Sequence, residues 1–458
     1  MKRTVDVLVA EIGSTTTTVN AFNLEGTPIF LGQGMAPTTV LEGDVNVGLK
    51  AAIEDLKGKI GDFEYKEMLA CSSAAGGLKM TVHGLVYDMT VRAAKEAALG
   101  AGANIKLITA GKLRRTDLEK IKEIKPNIIL LAGGVDYGDR ETALYNGEKL
   151  AELKLNVPVI YAGNIENREE IAYIFKEAGQ EVYIVDNVYP SIDKLNVEPT
   201  RKMIQQVFEK HIITAPGMSR VKELVTGNII PTPGAVMEAC ILLYNEIGDL
   251  MALDIGGATT DVHSVTEGSE EIQKMTVNPE PLAKRTVEGD LGVFVNSRNL
   301  FELWGEEVYK KFANAEELIK NIKPVPTTDE EREFVLFLAA KAVEIAVKRH
   351  AGKMVSYFGP TGKSFYVEGR DLTAVKWIIG TGGVFTRIKG SEELLKNIND
   401  KAPGKELYPS SSAKVLIDRD YIMAACGVLS KKYPEEALRL LKNSLGNLKV
   451  REDRCILY

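Results

Sequence analysis

The sequence predicts an α/β protein with two domains of related topology and mixed sheets, and with an extra parallel unit inserted in the first domain. Three observations support this prediction. The chain has 458 residues, which is long for one compact core. An order of strand, glycine-rich turn and strand occurs at the N-terminus and returns near mid-chain. Between these two copies, short apolar strands alternate with helical patterns.

The repeated segment places the domain boundary. Residues 4–13 (TVDVLVAEIG) are β-branched and apolar, and a second strand follows after a short gap, which predicts a strand–turn–strand meander. Residues 250–265 show the same order. The boundary is therefore expected near Asp249, which gives a first domain of residues 1–248 and a second domain of residues 249–458.

Residues 126–190 show a different pattern of predicted secondary structure from the rest of the first domain. Three short apolar strands, NIILLAGG, VPVIYAG and VYIVDNV, are separated by two helical patterns. Strands that alternate with helices predict a parallel βαβαβ unit. One of its turns, LLAGGV at residues 130–135, has the strand-then-glycine shape of a ligand-binding loop. Such a turn is weak evidence by itself, and a purely structural role stays open.

The composition excludes some classes of function. With 57 basic and 63 acidic residues the net charge is −6, so no general nucleic-acid or acidic-membrane surface is expected. The four cysteines are far apart and form no CxxC pair, which predicts neither a zinc site nor a disulfide framework and fits a reducing cytoplasm. Asp6 interrupts the apolar run at the N-terminus, so no signal peptide is expected and the predicted location is cytoplasmic.

The most apolar helical stretch covers residues 334–347 (FVLFLAAKAVEIAV) and carries Lys341 and Glu344. It is too short and too charged to span a bilayer. The pattern therefore predicts a helix packed in the core rather than a membrane segment.

Two glycine turns are the main candidates for chemistry. VAEIGSTTTTV (residues 9–19) and ALDIGGATTDV (residues 252–262) each place an acid, Ile, Gly and small or Thr residues after an apolar strand. Glycine lets backbone N–H groups approach a ligand closely, and successive N–H groups form an anion-binding nest. Two such turns facing each other would grip a polyphosphate from both sides. Either turn alone is also explained by an ordinary hairpin, and their recurrence favours phosphate binding.

Glu11 and Asp254, the acids that precede the two turns, do not favour bare phosphate. A hydrated Mg²⁺ between the acids and the phosphates removes the conflict, because Mg²⁺ retains waters and binds through few carboxylates. The sequence therefore predicts a magnesium–triphosphate site.

A third glycine turn lies in WIIGTGGVFTRI, at residues 377–388. The pattern is a strand, a turn and a helix start, an arrangement that favours phosphate or the close approach of a flat base. Alone it is weak, like any glycine-rich turn between a strand and a helix.

These elements and their order resemble the actin-like ATPase superfamily, which includes sugar kinases, actin and the seventy-kilodalton chaperones. The resemblance implies two related ribonuclease H-like domains with a nucleotide cleft between them, and ATP with Mg²⁺ as cofactors. It covers the chain except residues 126–190. In the superfamily, the first phosphate loop is followed by a connecting helix and then by the second phosphate loop, and these correspond to residues 11–18, 234–244 and 254–261. The adenosine loop and the second connecting helix come next and correspond to residues 379–383 and 420–431.

A narrower resemblance spans nearly the full length. GNIIPTPGAVMEA, LDIGGATTDVHSV, RTVEGDLGV and IIGTGGV are together similar to the MutL or GlmL family, the accessory protein of coenzyme B12-dependent glutamate mutase. The resemblance implies an ATPase with chaperone-like action that reactivates glutamate mutase or a related aminomutase by assisting exchange of damaged cobalamin. It implies mutase subunits as partners, with no nucleic acid and no membrane, and it leaves homo-oligomerisation open.

Superfamily roles carry over only at matching positions. The residues that this resemblance implies for catalysis, and for holding Mg²⁺ through water, are Glu11, Asp254 and Asp261. The implied phosphate-binding residues are Gly13, Ser14 and Thr15 in the first domain and Gly256, Gly257, Ala258 and Thr259 in the second. The implied adenosine contacts are Gly380, Thr381, Gly382 and Gly383. Weaker candidates, for an acidic loop like that of the chaperone relatives, are Glu288 and Asp290.

Glu11 departs from the superfamily, which usually has Asp at this position. Glutamate is one methylene longer, so the metal geometry would shift, and slow, switch-like turnover is one consequence. Three alternatives stay open. They are a small-molecule kinase on the same fold, for which no sugar-kinase-like motif is found, a filament-forming actin-like protein, and an activator ATPase with an iron–sulfur cluster bridging two subunits.

Overall fold

The computed structural model describes residues 3–74, 78–212, 217–227, 229–359, 362–398 and 404–446. Close contacts divide the chain into two units. Unit 1 comprises Met1–Glu25, Phe30–Met237 and Asn278–Lys284, and unit 2 comprises Gly26–Ile29, Glu238–Val277 and Arg285–Tyr458. The division falls inside a helix that runs over Thr232–Ile247, and the sequence prediction placed the domain boundary directly after that helix.

The described residues of unit 1 form ten strands in two sheets. The strands are β1 (Arg3–Ile12), β2 (Thr16–Asn23), β3 (Ile29–Pro37), β4 (Phe63–Ser72), β5 (Leu78–Gly84), β6 (Ala103–Ala110), β7 (Ile128–Leu131), β8 (Val159–Tyr161), β9 (Val182–Ile184) and β10 (Ile229–Pro231). The first sheet has the order β10-β4-β1-β2-β3. Its central strand β1 is antiparallel to β2 and parallel to β4. Val7, Leu8 and Val9 on β1 are all buried, which explains why a central strand reads as a continuous apolar run.

Seven α-helices are described from α1 to the end of the helix at the division between the units. They are α1 (Val45–Ile60), α2 (Arg92–Gly100), α3 (Arg115–Ile124), α4 (Glu141–Glu152), α5 (Arg168–Glu177), α6 (Val197–His211) and α7 (Thr232–Ile247). Local chemistry sets their ends. Helix α1 begins where the Asp44 side chain accepts a hydrogen bond from the Asn46 N–H at 2.9 Å, and it ends at Gly61. Pro233 in the first turn of α7 lacks only an N–H that would have no helical acceptor there.

The second sheet of unit 1 has the order β6-β5-β7-β8-β9, and every neighbouring pair in it is parallel. Strands β7, β8 and β9 with helices α4 and α5 between them confirm the βαβαβ unit predicted for residues 126–190. The prediction missed that β5 and β6 extend the same sheet. One face of this sheet packs into the main core of unit 1, so the parallel unit is continuous with the rest of the unit. The other face packs in a separate apolar cluster.

Unit 2 is built around a third five-stranded sheet with the order β13-β12-β11-β16-β17, and a two-stranded hairpin. Its strands are β11 (Leu250–Ile255), β12 (Thr260–Val265), β13 (Ala283–Glu288), β14 (Lys353–Gly359), β15 (Gly362–Glu368), β16 (Trp377–Thr381) and β17 (Lys414–Ile417). Its helices are α8 (Glu270–Gln273), α9 (Ser297–Trp304), α10 (Glu306–Lys311), α11 (Ala315–Lys320), α12 (Asp329–His350), α13 (Gly382–Arg387), α14 (Glu392–Lys396), α15 (Met423–Leu429) and α16 (Pro434–Ser444).

The first sheet of unit 1 and the sheet of unit 2 have the same strand plan. In each, a central strand is antiparallel to the next strand in the chain and parallel to a later one, and a further strand flanks each side. β1 in unit 1 corresponds to β11 in unit 2. This confirms the predicted fold class of two related α/β units with mixed sheets and an extra parallel unit in the first.

Helix α12 is the core helix predicted from its apolar sequence. It begins with a capping box, in which the Thr328 hydroxyl accepts from the Glu331 N–H while the Glu331 carboxylate accepts from the Thr328 N–H. Phe334, Leu338 and Ala342 on this helix are buried in the core of unit 2. Within the described ranges, no helix is both long and apolar enough to cross a membrane.

Candidate functional site

The first glycine turn joins β1 to β2. The Gly13 N–H donates to the Thr16 carbonyl at 3.0 Å, which closes a tight hairpin. A Cβ on residue 13 would lie 2.6 Å from that carbonyl oxygen, so the turn requires glycine. Glu11 lies opposite Thr18 in the ladder and is half-buried, while Ser14 and Thr15 at the tip are exposed. The predicted residues of the first loop therefore share one hairpin.

Neighbouring segments hold this turn in one orientation. Thr38 donates from its hydroxyl to the Gly13 carbonyl at 2.9 Å and from its N–H to the Thr15 carbonyl at 3.0 Å. The Ser14 hydroxyl donates to the Ser73 carbonyl at 3.2 Å. Among the residues that the structure describes, the Ser14 and Thr15 N–H groups have no hydrogen-bond acceptor. Fixed carbonyls and unpaired amides at an exposed tip are the features of an anion-binding nest.

The second glycine turn repeats this geometry in unit 2. The Gly256 N–H donates to the Thr259 carbonyl at 2.9 Å, and Asp254 lies opposite Asp261 in the ladder. Position by position, Gly256 corresponds to Gly13 and Asp254 to Glu11. The two turns are therefore the same structural element in two sheets of the same plan, as the repeated sequence predicted.

The segment after β13 fixes the carbonyls of the second turn. The Phe294 N–H donates to the Gly257 carbonyl at 2.9 Å, the Val293 N–H to the Gly256 carbonyl at 3.2 Å, and the Asn296 amide to the Ala258 carbonyl at 2.7 Å. Because a peptide unit is planar and trans, a carbonyl and the next N–H point in opposite directions. Each following N–H group therefore points away from this segment, and these are the N–H groups of Gly257, Ala258 and Thr259. In the described part of the chain they have no acceptor.

The sequence analysis missed Gly292 as a supporting residue. A Cβ at this position would lie 2.2 Å from the carbonyl carbon of Ala258, so only glycine lets the segment pack against the turn. Gly292 is the last residue of the motif VEGDLG, in which the two acids were the residues considered for function. Glu288 of that motif pairs with Arg349, and burial raises the pKa of its carboxyl group despite this partner. Asp290 is exposed.

Asp261 is held by a residue that sequence reasoning also missed. Arg285 on β13 places Nη2 2.6 Å and Nε 2.8 Å from one carboxylate oxygen of Asp261. The Thr259 hydroxyl donates to the other oxygen at 3.1 Å. Both charged side chains are buried, and a buried acid requires a partner of this kind. The charge of Asp261 is therefore balanced within the protein.

Asp254 lies between the second and third glycine turns. It neighbours Asp261 on one side of the sheet and Thr381 on the other. Gly382 has φ 84° and approaches so closely that a Cβ there would lie 2.4 Å from Asp254 Oδ1. The carboxylate is half-buried. The structure thus brings Asp254, Asp261 and the third turn together at one end of the sheet of unit 2.

The four residues predicted to contact adenosine differ in their surroundings. Gly380 is buried, and a Cβ there would meet Phe385 at 2.8 Å. The Thr381 hydroxyl donates to Asp418 Oδ2 at 2.9 Å inside the protein. Gly383, in contrast, has open space at its Cβ position. Asp418, which sequence reasoning missed, also accepts from the Met423 N–H at 2.9 Å and so fixes the start of α15.

The magnesium prediction concerns Glu11, Asp254 and Asp261. Within the described residues, no group of three or more His, Cys, Asp or Glu side chains is placed to hold a metal ion. A Mg²⁺ ion does not need such a cage, because it keeps waters and binds through few carboxylates together with substrate phosphates. The outward-pointing amides of the two turns fit the phosphates, and the half-buried Asp254 beside the second turn fits a water-mediated contact to the ion.

Two sheets of one strand plan, each with a glycine hairpin whose amides point outward, define the class of two-unit actin-like folds. The comparison of sequences goes further. The chain belongs to the MutL protein family, whose model matches residues 7–445. The relative named Protein MutL from Clostridium tetanomorphum is 39% identical over 464 residues, which cover 96% of this chain and 98% of the relative.

Solved structures show weaker likeness. A nucleotide-free acetone carboxylase structure, described in terms of ATP-dependent acetone carboxylation, has a TM-score of 0.41 and 13% identity over 93% of this chain and 70% of its own. A glycerol dehydratase reactivase has a TM-score of 0.30 and 10% identity over 93% of this chain and 99% of its own. A nucleotide-free diol dehydratase-reactivating factor has a TM-score of 0.32, 10% identity and the same coverages, 93% and 99%. At TM-scores this low, these likenesses carry no weight for function.

Proposed function

We propose that this chain is an ATP-binding and ATP-hydrolysing factor that reactivates a coenzyme B12-dependent mutase in the cytoplasm. The observation that supports it most is the pair of equivalent hairpins with unpaired, outward-pointing amides. One hairpin offers the amides of Ser14 and Thr15, and the other those of Gly257, Ala258 and Thr259. Each set binds phosphate oxygens of ATP, because a run of aligned amides forms an anion site without moving.

The acids have distinct roles in this proposal. Asp254 would hold Mg²⁺ through water and orient the attacking water, and Glu11 is the candidate metal-holding acid of the first hairpin. Asp261, already paired with Arg285, contributes to the ion's electrostatic surroundings and keeps the second turn in place through Thr259. Bound Mg²⁺–ATP supplies the phosphoanhydride bond whose hydrolysis is coupled to the partner.

Family membership supports the choice of partner. The curated relative carries the name Protein MutL, and the resemblance of this sequence to accessory proteins of glutamate mutase points to a B12-dependent mutase as the partner. The factor promotes exchange of damaged cobalamin by binding the mutase with different affinity before and after hydrolysis. Nucleotide drives such a cycle only when the two states of the factor differ in their free energy of binding the partner.

The test measures two quantities in one mixture, the activity of a cobalamin-inactivated glutamate mutase and the consumption of ATP. We expect activity to return only with the factor, ATP, Mg²⁺ and intact cobalamin, and ATP consumption to rise when mutase is added. Asp254→Asn is the variant that should bind ATP but not restore activity, and Asp329→Asn, on an exposed acid at the start of α12, is its matched control. Failure with every B12-dependent mutase of the host would overturn the proposed partner.

The alternatives give different outcomes in the same preparation. Formation of a phosphorylated metabolite without any mutase would make the protein a kinase. Sedimentation of the protein with ATP and Mg²⁺ would make it a filament-forming protein. Iron and a coloured cluster in the purified protein would make it an activator of the iron–sulfur type.

A further inference from the structure

The glycine turn after β7 has features of a second anion site, remote in sequence from the two hairpins. It contains Gly133 and Gly134, with φ of 153° and 69°. A Cβ at residue 134 would lie 2.3 Å from the Asp139 carbonyl oxygen, so both the conformation and the space require glycine there. The turn belongs to the motif LLAGGV, for which the sequence alone left a structural role open.

Three successive amides of this turn have no acceptor in the described ranges of the chain. They are the N–H groups of Gly133, Gly134 and Val135. Gly133 and Gly134 are buried residues. Buried backbone N–H groups without a partner are rare in folded proteins, because each one costs the free energy of a lost hydrogen bond. Two such groups in a row, followed by the N–H of the half-buried Val135, indicate that something outside the chain accepts from them.

The direction of these amides is fixed by the carbonyls beside them. The Gly133 carbonyl accepts from the Asn164 N–H at 3.0 Å, and the Gly134 carbonyl accepts from the Asn187 side chain at 3.1 Å. In a planar trans peptide the following N–H points the opposite way. The Gly134 and Val135 N–H groups therefore point away from the loops that follow β8 and β9.

The turn lies at the point of the parallel sheet where ligands bind in folds of this type. The chain passes from β5 outward to β6, then crosses back to β7 on the other side of β5. The strand order therefore reverses between β5 and β7, and a crevice forms outside the carboxyl ends of these two strands. A Cβ on Gly133 would lie 3.8 Å from the Leu85 nitrogen, which shows that the loop after β5 borders the turn.

Exposed apolar and aromatic side chains flank the turn on these same loops. Tyr137 is 77% exposed, and Tyr87 and Val86 are 58% and 43% exposed. Tyr137 also has a positive φ of 63°, a backbone conformation that is uncommon for a non-glycine residue. Exposed tyrosine rings, one in the segment after the turn and one in the loop after β5, offer faces on which a flat ring stacks.

The charges around the turn are compatible with an anion. Asp136 accepts from the Ile165 N–H and from the Asn187 side chain, both at 2.9 Å, so its carboxylate is turned toward the loops after β8 and β9. Asp139 accepts from the Thr142 N–H at 3.1 Å at the start of α4. Arg140 is exposed and lies 3.7 Å from Glu166.

We propose that the turn after β7 is a binding site for the phosphate group of a small molecule that carries a flat ring, such as a nucleoside monophosphate. Gly133, Gly134 and Val135 donate their N–H groups to the phosphate, and Tyr87 and Tyr137 contact the ring. The site is formed by other residues than the two hairpins and does not depend on the proposed function.

The test follows the amide resonances of Gly133 and Gly134 in protein labelled with ¹⁵N-glycine. The probes are inorganic phosphate, adenosine monophosphate and adenosine. We expect saturable shifts with the two phosphate-bearing probes and none with adenosine alone. Val86→Glu places a carboxylate on the bordering loop and should weaken phosphate binding about tenfold. Val86→Gln has the same shape without the charge and should bind like the unaltered protein.

A second variant tests the ring. Tyr137→Ser should weaken binding of adenosine monophosphate several-fold and leave inorganic phosphate unchanged, and equal binding of the monophosphate would overturn the flat-ring part of the proposal. Resonances that do not respond to phosphate, or that respond equally in Val86→Glu and Val86→Gln, would overturn the site itself. Gly257→Val, which blocks the second hairpin, should leave the Gly133 and Gly134 responses intact. If ATP hydrolysis is normal but the amide resonances of Gly133 and Gly134 do not respond to phosphate, this inference is rejected while the proposed function stands.

Discussion

Arg285 and Asp261 form a buried ion pair in unit 2, with Arg285 Nη2 2.6 Å from Asp261 Oδ1 and side chains only 3% and 6% exposed. The pair joins β13 to β12 beside the second glycine turn. Asp261 also accepts from the Thr259 hydroxyl at 3.1 Å, so the ion pair supports a residue of the turn itself. The acid that the sequence singled out for metal binding thus has a structural partner that the sequence did not show.

Removing one member of this pair should destabilise the protein strongly. Arg285→Met leaves the Asp261 carboxylate buried without a countercharge, and the free energy of unfolding should fall by about 3–5 kcal/mol. Urea unfolding followed by circular dichroism measures this loss. The double variant Arg285→Met with Asp261→Asn should recover much of it, because no buried charge is left. An equal loss in the single and double variants would contradict the pairing as the cause.

Gly257→Val should weaken ATP binding. The new side chain projects near Phe294, where a Cβ alone would lie 3.3 Å from Phe294 Cβ, and it crowds the amides of the second turn. The dissociation constant for ATP should rise at least about tenfold in isothermal titration calorimetry. Gly289→Ala is the control, since a Cβ there meets no atom within 4 Å. Unchanged affinity in Gly257→Val would remove this turn from the phosphate site.

Asp254→Asn should separate ATP binding from hydrolysis. The amide keeps the size of the side chain beside Gly382 but loses the charge that we propose holds Mg²⁺ and orients water. The rate of ATP hydrolysis should fall at least about 100-fold, with the thermal unfolding transition nearly unchanged. Phosphate release by Asp329→Asn should match that of the unaltered protein. Full hydrolysis by Asp254→Asn would show that another group orients the water.

The contribution of His83 to the free energy of unfolding should fall as the pH drops from 6.5 to about 4. His83 is fully buried, and burial lowers the pKa of its imidazole to about 4 from the ordinary value of 6.5. The unfolded chain therefore binds a proton in this range that the folded protein does not, which favours unfolding as the pH falls. His263 acts in the same direction, because burial lowers its pKa well below the ordinary value.

Urea unfolding at a series of pH values checks this. His83→Gln should reduce the slope of stability against pH by up to about 1.4 kcal/mol per pH unit between pH 4 and 6.5. His211→Gln is the control, because that imidazole is partly exposed and pairs with Glu181 at 3.1 Å. Identical slopes in the unaltered protein and His83→Gln would show that the pKa of His83 is the same in the folded and unfolded states.

Much of the fold could be predicted because local sequence patterns determine its strands, helices and turns. The apolar run before Glu11 and the one before Asp254 each precede a glycine turn, and their similarity predicted two related units. The alternation of strands and helices in residues 126–190 predicted the parallel unit. Strands β5 and β6 were missed as members of that sheet. Strand pairing depends on contacts between residues distant in the chain, and the sequence of one strand does not indicate its partner.

The sequence by itself determined that two glycine hairpins occur in equivalent places, since chain geometry at Gly13 and Gly256 is a local property of backbone and side-chain size. Only the tertiary structure decided which side chains and segments pack against these hairpins. Arg285 reaches Asp261 because β13 pairs with β12, and Gly292 fits against Ala258 because a later segment folds back onto the turn. Such partners are fixed by packing and by the need to balance buried charge, and these act between residues that are far apart in the chain.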